Sequence, residues 1–354
     1  MQKKRNVCRE LPDLLRFQDG RRVETPAQWR ERRGELLEMI MDVEYGPLPP
    51  GGGIWSELLN SHTAKLYHGS PQYCQYRLGT EKTGDDFGFR LDLMIPQGDE
   101  RLPVALTGDG CWRYLTDDVT NEVMRRGWIL AVFSRVEIVP DIGTQERNTG
   151  LNRVLPGGDF GALAAWAWGY HRCVDFLLTH ERVNTEQIAV VGHSRGGKAA
   201  LLAGAADERI ALTNPNNSGC GGAGCFRVQG EGSETIADIT RSFPHWFSRK
   251  FADFAGREDE LPFDQHALKA LVAPRALLTT EALGDLWANP SGTWQTHRAA
   301  REVYELLDAG DRIGIAFREG GHSHGINDWI TFLDFADWQL RGRPARRGYD
   351  ASPF

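Results

Sequence analysis

Gln187-Ile-Ala-Val-Val-Gly-His-Ser-Arg-Gly-Gly-Lys-Ala-Ala200 is the stretch whose reading decides the fold. Residues 188–191 form a short apolar run of the kind a buried strand makes. The run breaks at Gly192, and a strong helix pattern starts across residues 198–203. Between them stands Gly192-His193-Ser194-Arg195-Gly196, which fits G-x-S-x-G. In a nucleophile elbow the serine occupies a sharp strand-to-helix turn, and the flanking glycines let neighbouring backbone approach closely. The hydroxyl then projects above the sheet, and the next backbone N–H helps to form an oxyanion hole. The five-residue pattern alone is weak, and a glycine-rich connection with a capping serine would also fit it. The strand–turn–helix context makes Ser194 a candidate nucleophile.

Outward from the elbow, the chain falls into two kinds of pattern. From residue 103 onward, apolar runs at 104–106, 128–133, 188–191, 276–278 and 313–317 alternate with helical segments at 160–178, 198–206, 297–307 and 329–340. That alternation predicts a mostly parallel sheet covered on both faces. Before it, residues 62–95 read as antiparallel strands. Phe87, Phe89, Leu91, Leu93 and Ile95 alternate with Gly88, Arg90, Asp92 and Met94 there, the period of a half-buried strand. Thr25-Pro26 opens a helix with an apolar stripe at Trp29, Leu36, Leu37, Ile40 and Met41, which stops at the Gly- and Pro-rich 45–53 loop. The expected fold is an α/β-hydrolase, a three-layer sandwich with a mostly parallel central sheet and an antiparallel N-terminal extension. Residues 25–340 form its single domain. Residues 1–24 are an irregular N-terminal segment, and the basic tail 341–354 is expected to be loosely ordered.

In this fold the triad follows the chain order Ser, Asp or Glu, His. After the apolar run 276–278 comes a loop carrying Glu281 and Asp285, either of which qualifies as the acid. Asp285 is preferred because it lies further into the loop, beside Trp287. After the run 313–317 comes Gly320-Gly-His-Ser-His-Gly325. A histidine in such a loop reaches the serine, and an imidazole with a pKa near 6.5 takes and returns a proton near neutrality. His322 directly follows the glycine pair and is preferred over His324. The His-x-His spacing lacks a third ligand for a metal site.

Composition narrows the partners. A net charge of −7 argues against a general nucleic-acid binder, and no apolar run is long enough to span a membrane. No cofactor is implied. Residues 1–10 are basic without an apolar segment behind them, so no signal peptide is visible as written. That leaves a cytoplasmic location, or secretion if the natural start lies upstream. The six cysteines (8, 74, 111, 173, 220 and 225) show no metal spacing. Cys111 and Cys173 read as small core residues, and Cys220 and Cys225 as reduced thiols unless an oxidising compartment bridges them.

Four passages together carry a resemblance: 161–169 (GALAAWAWG), 192–198 (GHSRGGK), 208–227 with its Ser218-Gly-Cys-Gly-Gly-Ala-Gly-Cys-Phe-Arg227 run, and Phe243-Pro-His-Trp-Phe-Ser248 with Leu271-Val-Ala-Pro-Arg275 behind it. With these the chain resembles the glucuronoyl esterases of carbohydrate esterase family 15 across roughly residues 103–340. The resemblance implies hydrolysis of the C6 ester of (4-O-methyl-)glucuronic acid on xylan, as in lignin–glucuronoxylan linkages, with Ser194 as nucleophile and His322 as base. It implies that Arg195 faces the oxyanion, that Lys198 and Glu234 bind sugar hydroxyls, and that Trp287 packs against the sugar. Fungal members place their acid 23 residues after the serine, where this chain has Asn217, so the acid must come from the later loop, as in bacterial members. His193 stands where the fungal elbow has a cysteine. Two other readings share parts of this pattern: a carbohydrate acetyl esterase with the same triad, and a catalytically silent carbohydrate-binding homologue.

Overall fold

The structure is a computed structural model and describes residues 10–84, 86–112, 114–143 and 147–354. The first nine residues, Cys8 among them, lie outside the described residues. Nine strands make one sheet: β1 (Ile54–Thr63), β2 (Gln72–Thr80), β3 (Phe89–Ile95), β4 (Leu102–Thr107), β5 (Ile129–Phe133), β6 (Val183–His193), β7 (Leu212–Asn216), β8 (Ala276–Ala282) and β9 (Ile313–Arg318), counted among the described residues. Their order across the sheet is β1-β2-β3-β5-β4-β6-β7-β8-β9. The first three strands and β5 pair antiparallel, and every pairing from β5 to β9 is parallel. This is the α/β-hydrolase arrangement with its antiparallel extension, which begins at Ile54, earlier than the alternating pattern indicates.

The helices are α1 (Pro26–Ile40), α2 (Asp117–Arg125), α3 (Arg135–Ile138), α4 (Leu151–Val154), α5 (Ala162–Leu177), α6 (Arg195–Ala206), α7 (Ile236–Ser242), α8 (Gln265–Ala270), α9 (Pro290–Leu306) and α10 (Ile326–Arg341). Helix α1 starts as its sequence predicts: Thr25 caps it, its hydroxyl accepting from the N–H of Gln28, with Pro26 at the first position. The period-2 pattern of the strands divides the core between two faces. Val104, Leu106, Ile188 and Val190 pack with α1, α5, α6, α8 and α9 on one face. Ala105, Ala189, Val191, Leu212 and Leu278 pack with α2 and α10 on the other.

One strand goes unread in the sequence, and two expectations are corrected. Strand β7 carries no apolar run, yet it lies between β6 and β8, with all five of its residues buried. The tail is not loose: Tyr349 is buried against Phe335 and Trp338, and its carbonyl accepts the N–H of Ile315 on β9. Asp350 pairs with Arg301 and His297, and Arg343 and Arg346 pair with Asp337 and Asp334 of α10. The tail's positive charge therefore meets carboxylates on the helix beside it. Finally, Cys111 is exposed, because it sits in the turn that follows β4, outside the core; Cys173 is fully buried as expected. Cys220 and Cys225 are free thiols.

Candidate active site

Strand β6 runs to His193 and helix α6 begins at Arg195, so Ser194 alone makes the turn. Its backbone stands at φ 56°, ψ −122°, a conformation non-glycine residues rarely adopt and one that surrounding structure must enforce. The enforcement is visible. The Ser194 N–H donates to the carbonyl of Asn216 at 2.9 Å, and the His193 N–H to Asp109 at 2.7 Å. A Cβ on Gly192 would meet the carbonyl of Gly196 at 2.3 Å, and one on Gly196 would meet Asp109 at 2.0 Å. Only glycine fits at either place. The N–H of Arg195 opens helix α6 and is one of the donors a helix start leaves free for an incoming anion.

Above the carboxyl ends of the central strands the three later loops converge. Ser194 Oγ lies 2.9 Å from His322 Nε2, and His322 Nδ1 lies 2.5 Å from Asp285 Oδ2. Backbone ties hold the two loops together: the N–H of Leu283 donates to Arg318, and that of Gly284 to Gly320. Asn217 also donates to Asp285 Oδ2, at 2.7 Å. Burial by itself would raise the Asp285 carboxyl, but the hydrogen bonds from His322 and Asn217 outweigh it and hold the group below the usual carboxylate range. Glu281 is elsewhere. It is fully buried, accepts from Thr293, faces Lys269, and burial pushes its carboxyl up to about 8. His324 is likewise away from Ser194, buried between the rings of His193 and Trp329.

Arg195 is the most constrained charge at the mouth. Its Nη1 lies 2.5 Å from Asp141, and its guanidinium stands within 5.5 Å of the rings of Trp112, Phe243 and Trp246. Asp141 also accepts from His245 and Trp246. Lys198, one turn into α6, is buried and donates to the carbonyls of Ser218 and Cys220. Glu234 stands 3.9 Å away, itself buried, with burial raising its carboxyl against the pull of Lys198. The half-exposed Trp287 accepts the N–H of Glu234 at its carbonyl, which ties its loop to that pair. The residues singled out in the sequence thus form two adjoining groups, Ser194–His322–Asp285 and Lys198–Glu234–Trp287, with Arg195 at the elbow and Glu281 apart.

Sequence reasoning missed Asp109, Asp141, Asn217 as a partner of Asp285, and Arg318. Asp109 directly follows the glycine after β4, the carboxyl end of a parallel strand, and that position was the available signal. Asp141 stands in an irregular loop and carried no signal at all. Among the described residues, no group of three or more His, Cys, Asp or Glu stands together as metal ligands.

Comparison with known proteins agrees with this geometry. The profile of the family described as "Glucuronyl esterase, fungi" matches residues 79–308. The carbohydrate esterase MZ0003, from an unknown prokaryotic organism, is 30% identical, over 94% of this chain and 90% of its own. The 4-O-methyl-glucuronoyl methylesterase 1 of Wolfiporia cocos is 33% identical, over 89% of this chain and 76% of its own. A solved glucuronoyl esterase from Caldicellulosiruptor kristjansonii superposes with a TM-score of 0.85 at 31% identity, over 98% of this chain and 94% of that one. The chain belongs to the glucuronoyl esterase family, carbohydrate esterase family 15, and is a carboxylic ester hydrolase on an α/β-hydrolase fold.

Proposed function

We propose that the protein hydrolyses the C6 ester of (4-O-methyl-)glucuronic acid carried on a carbohydrate, by a serine mechanism. The observation that carries this reading is the unbroken row from Ser194 Oγ through His322 to Asp285. Ser194 attacks the ester carbonyl while His322 Nε2 takes its proton. Asp285 accepts the Nδ1–H, fixes the tautomer and stabilises the imidazolium that forms. The Arg195 N–H and guanidinium face the oxyanion, a full positive charge where many esterases use neutral donors only. His322 then protonates the leaving alcohol, and water, activated by the same imidazole, releases the acid from the uronoyl-enzyme. Lys198 and Glu234 offer a buried donor and acceptor for sugar hydroxyls, and Trp287 an exposed apolar face for the ring.

The test sets a benzyl or methyl ester of glucuronic acid beside acetylated xylan, using wild type and Ser194→Ala. Turnover of the uronate ester by wild type only is the expected result. Release of acetate without uronate turnover would identify an acetyl esterase instead. Turnover of neither substrate would leave a carbohydrate-binding homologue.

A further inference from the structure

His322 rides on a loop with little of its own to hold it. Residues 319–323 are all exposed, Gly320 and Gly321 stand next to each other, and Gly320 has φ +100°. Glycines surrender the most conformational freedom on ordering, so an outside agent must fix such a loop. Beside the Gly284 N–H on the Gly320 carbonyl, that agent is Arg318, the last residue of β9. Its Nη1 donates to the carbonyls of Glu319 and Gly321 at 3.1 and 3.3 Å. Its Nη2 donates to the carbonyl and hydroxyl of Ser323 at 2.7 and 3.1 Å, and its Nε to Asp328 at 2.7 Å. One planar guanidinium thus takes the backbone on both sides of His322.

Asp328 extends the grip. It is buried, accepts the Gly325 N–H at 2.9 Å, and accepts the Asn216 side-chain amide at 3.3 Å. Asn216 in turn holds the Ser194 N–H at its carbonyl and the His193 ring at its side-chain oxygen. A closed circuit therefore runs from the serine through Asn216, Asp328 and Arg318 into the histidine loop and back across the Ser194–His322 hydrogen bond. We propose that Arg318, backed by Asp328, is a positioning residue for His322: its guanidinium holds the loop where the imidazole meets Ser194 and Asp285 together. The proposal rests on the triad reading above. Lysine cannot replace it, since an ammonium is a point charge without the fork that reaches several acceptors in one plane.

The experiment compares wild type, Arg318→Met and Arg318→Lys in uronate-ester kinetics and in the far-downfield proton NMR signal of the His322–Asp285 hydrogen bond, assigned by its loss in His322→Gln. Both Arg318 variants should lose roughly ten- to hundredfold in kcat, the scale of an ångström's misplacement. KM should stay within about twofold, the mark of an interaction realised only in the transition state. The downfield signal should move upfield or broaden away. Should Arg318→Met fail to fold by near-UV circular dichroism, Arg318→Lys, which keeps its charge against Asp328, carries the test. A folded variant with wild-type kcat and an unmoved signal overturns the proposal, as does a rise in KM with kcat unchanged. Absence of uronate turnover in wild type sinks the substrate reading alone, because the NMR signal still reports on the brace.

Discussion

Glu281 belongs to strand β8 and Asp285 to the loop that follows it, and their surroundings push them in opposite directions. Asp285 is held ionised by His322 and Asn217, while Glu281 is buried and kept largely protonated near neutrality. Asp285→Asn should therefore cost several powers of ten in kcat, on the scale of the trypsin-type triad's loss of about 10⁴, and Glu281→Gln far less. Steady-state kinetics of the two variants side by side decides it, and an equal loss in both would remove the distinction. Because Asn217 touches the same oxygen of Asp285 as His322 does, Asn217→Asp placed in the Asp285→Asn background should restore part of the lost kcat. Arg195→Ala removes one positioned donor, worth about 2.7–4 kcal/mol, and should lower kcat by roughly two to three powers of ten with little change in KM. The serine and histidine were legible in the sequence because their turns need glycine in a fixed pattern. The acid was legible only as a pair of candidates: choosing between them depends on which loop position reaches the imidazole, and spacing along the chain does not encode that.

At the scale of elements, β7 shows why one central strand escaped reading. Leu212-Thr-Asn-Pro-Asn216 lacks the apolar run of a strand buried on both faces, and proline argues against a central strand. Its asparagines have other partners: Asn214 ties β7 to the carbonyl of Leu278 on β8, and Asn216 serves the site by holding Ser194, His193 and Asp328. Function overwrote the propensity there, whereas β4, β5, β6 and β8 kept theirs. A second unread element is the five-residue π-helical turn Met41–Tyr45 that extends α1. It carries Glu44 into the core, where Gln265 donates to one oxygen and the other has no partner among the described residues. Burial drives this carboxyl up to about 8, against the hydrogen bond from Gln265. The folded state thus holds a proton that the unfolded state releases near 4.5, so stability falls as pH rises from there to about 8 and levels off beyond it. Glu44→Gln removes this dependence. Its melting temperature relative to wild type should climb between pH 5 and pH 8, and thermal unfolding across that range checks it; a constant difference would contradict the buried, protonated state.

Across the whole molecule the two ends of the sheet are finished differently. At β9 the tail lies alongside, with Tyr349 buried on Phe335 and Asp350 held by Arg301. Ending the chain at Gly342 would strip that cover from an edge strand, and Tyr349→Ala alone should cost about 3 kcal/mol, read from denaturant unfolding. No loss in either variant would mean the tail does not contribute. At the other end β1 is bare: eight of its ten residues are exposed, and among the described residues its only neighbour in the sheet is β2. Opening of a protein proceeds from such margins inward. In heavy water, β1 should take up deuterium first, and β4, β6 and β7, covered on both faces, last. A peptide-resolved time course that found β6 exchanging with β1 would refute this order. The strained turn at Ser194 is thus mounted on the strands that open last, and the reactive corner keeps its shape through every partial unravelling that begins at the far margin.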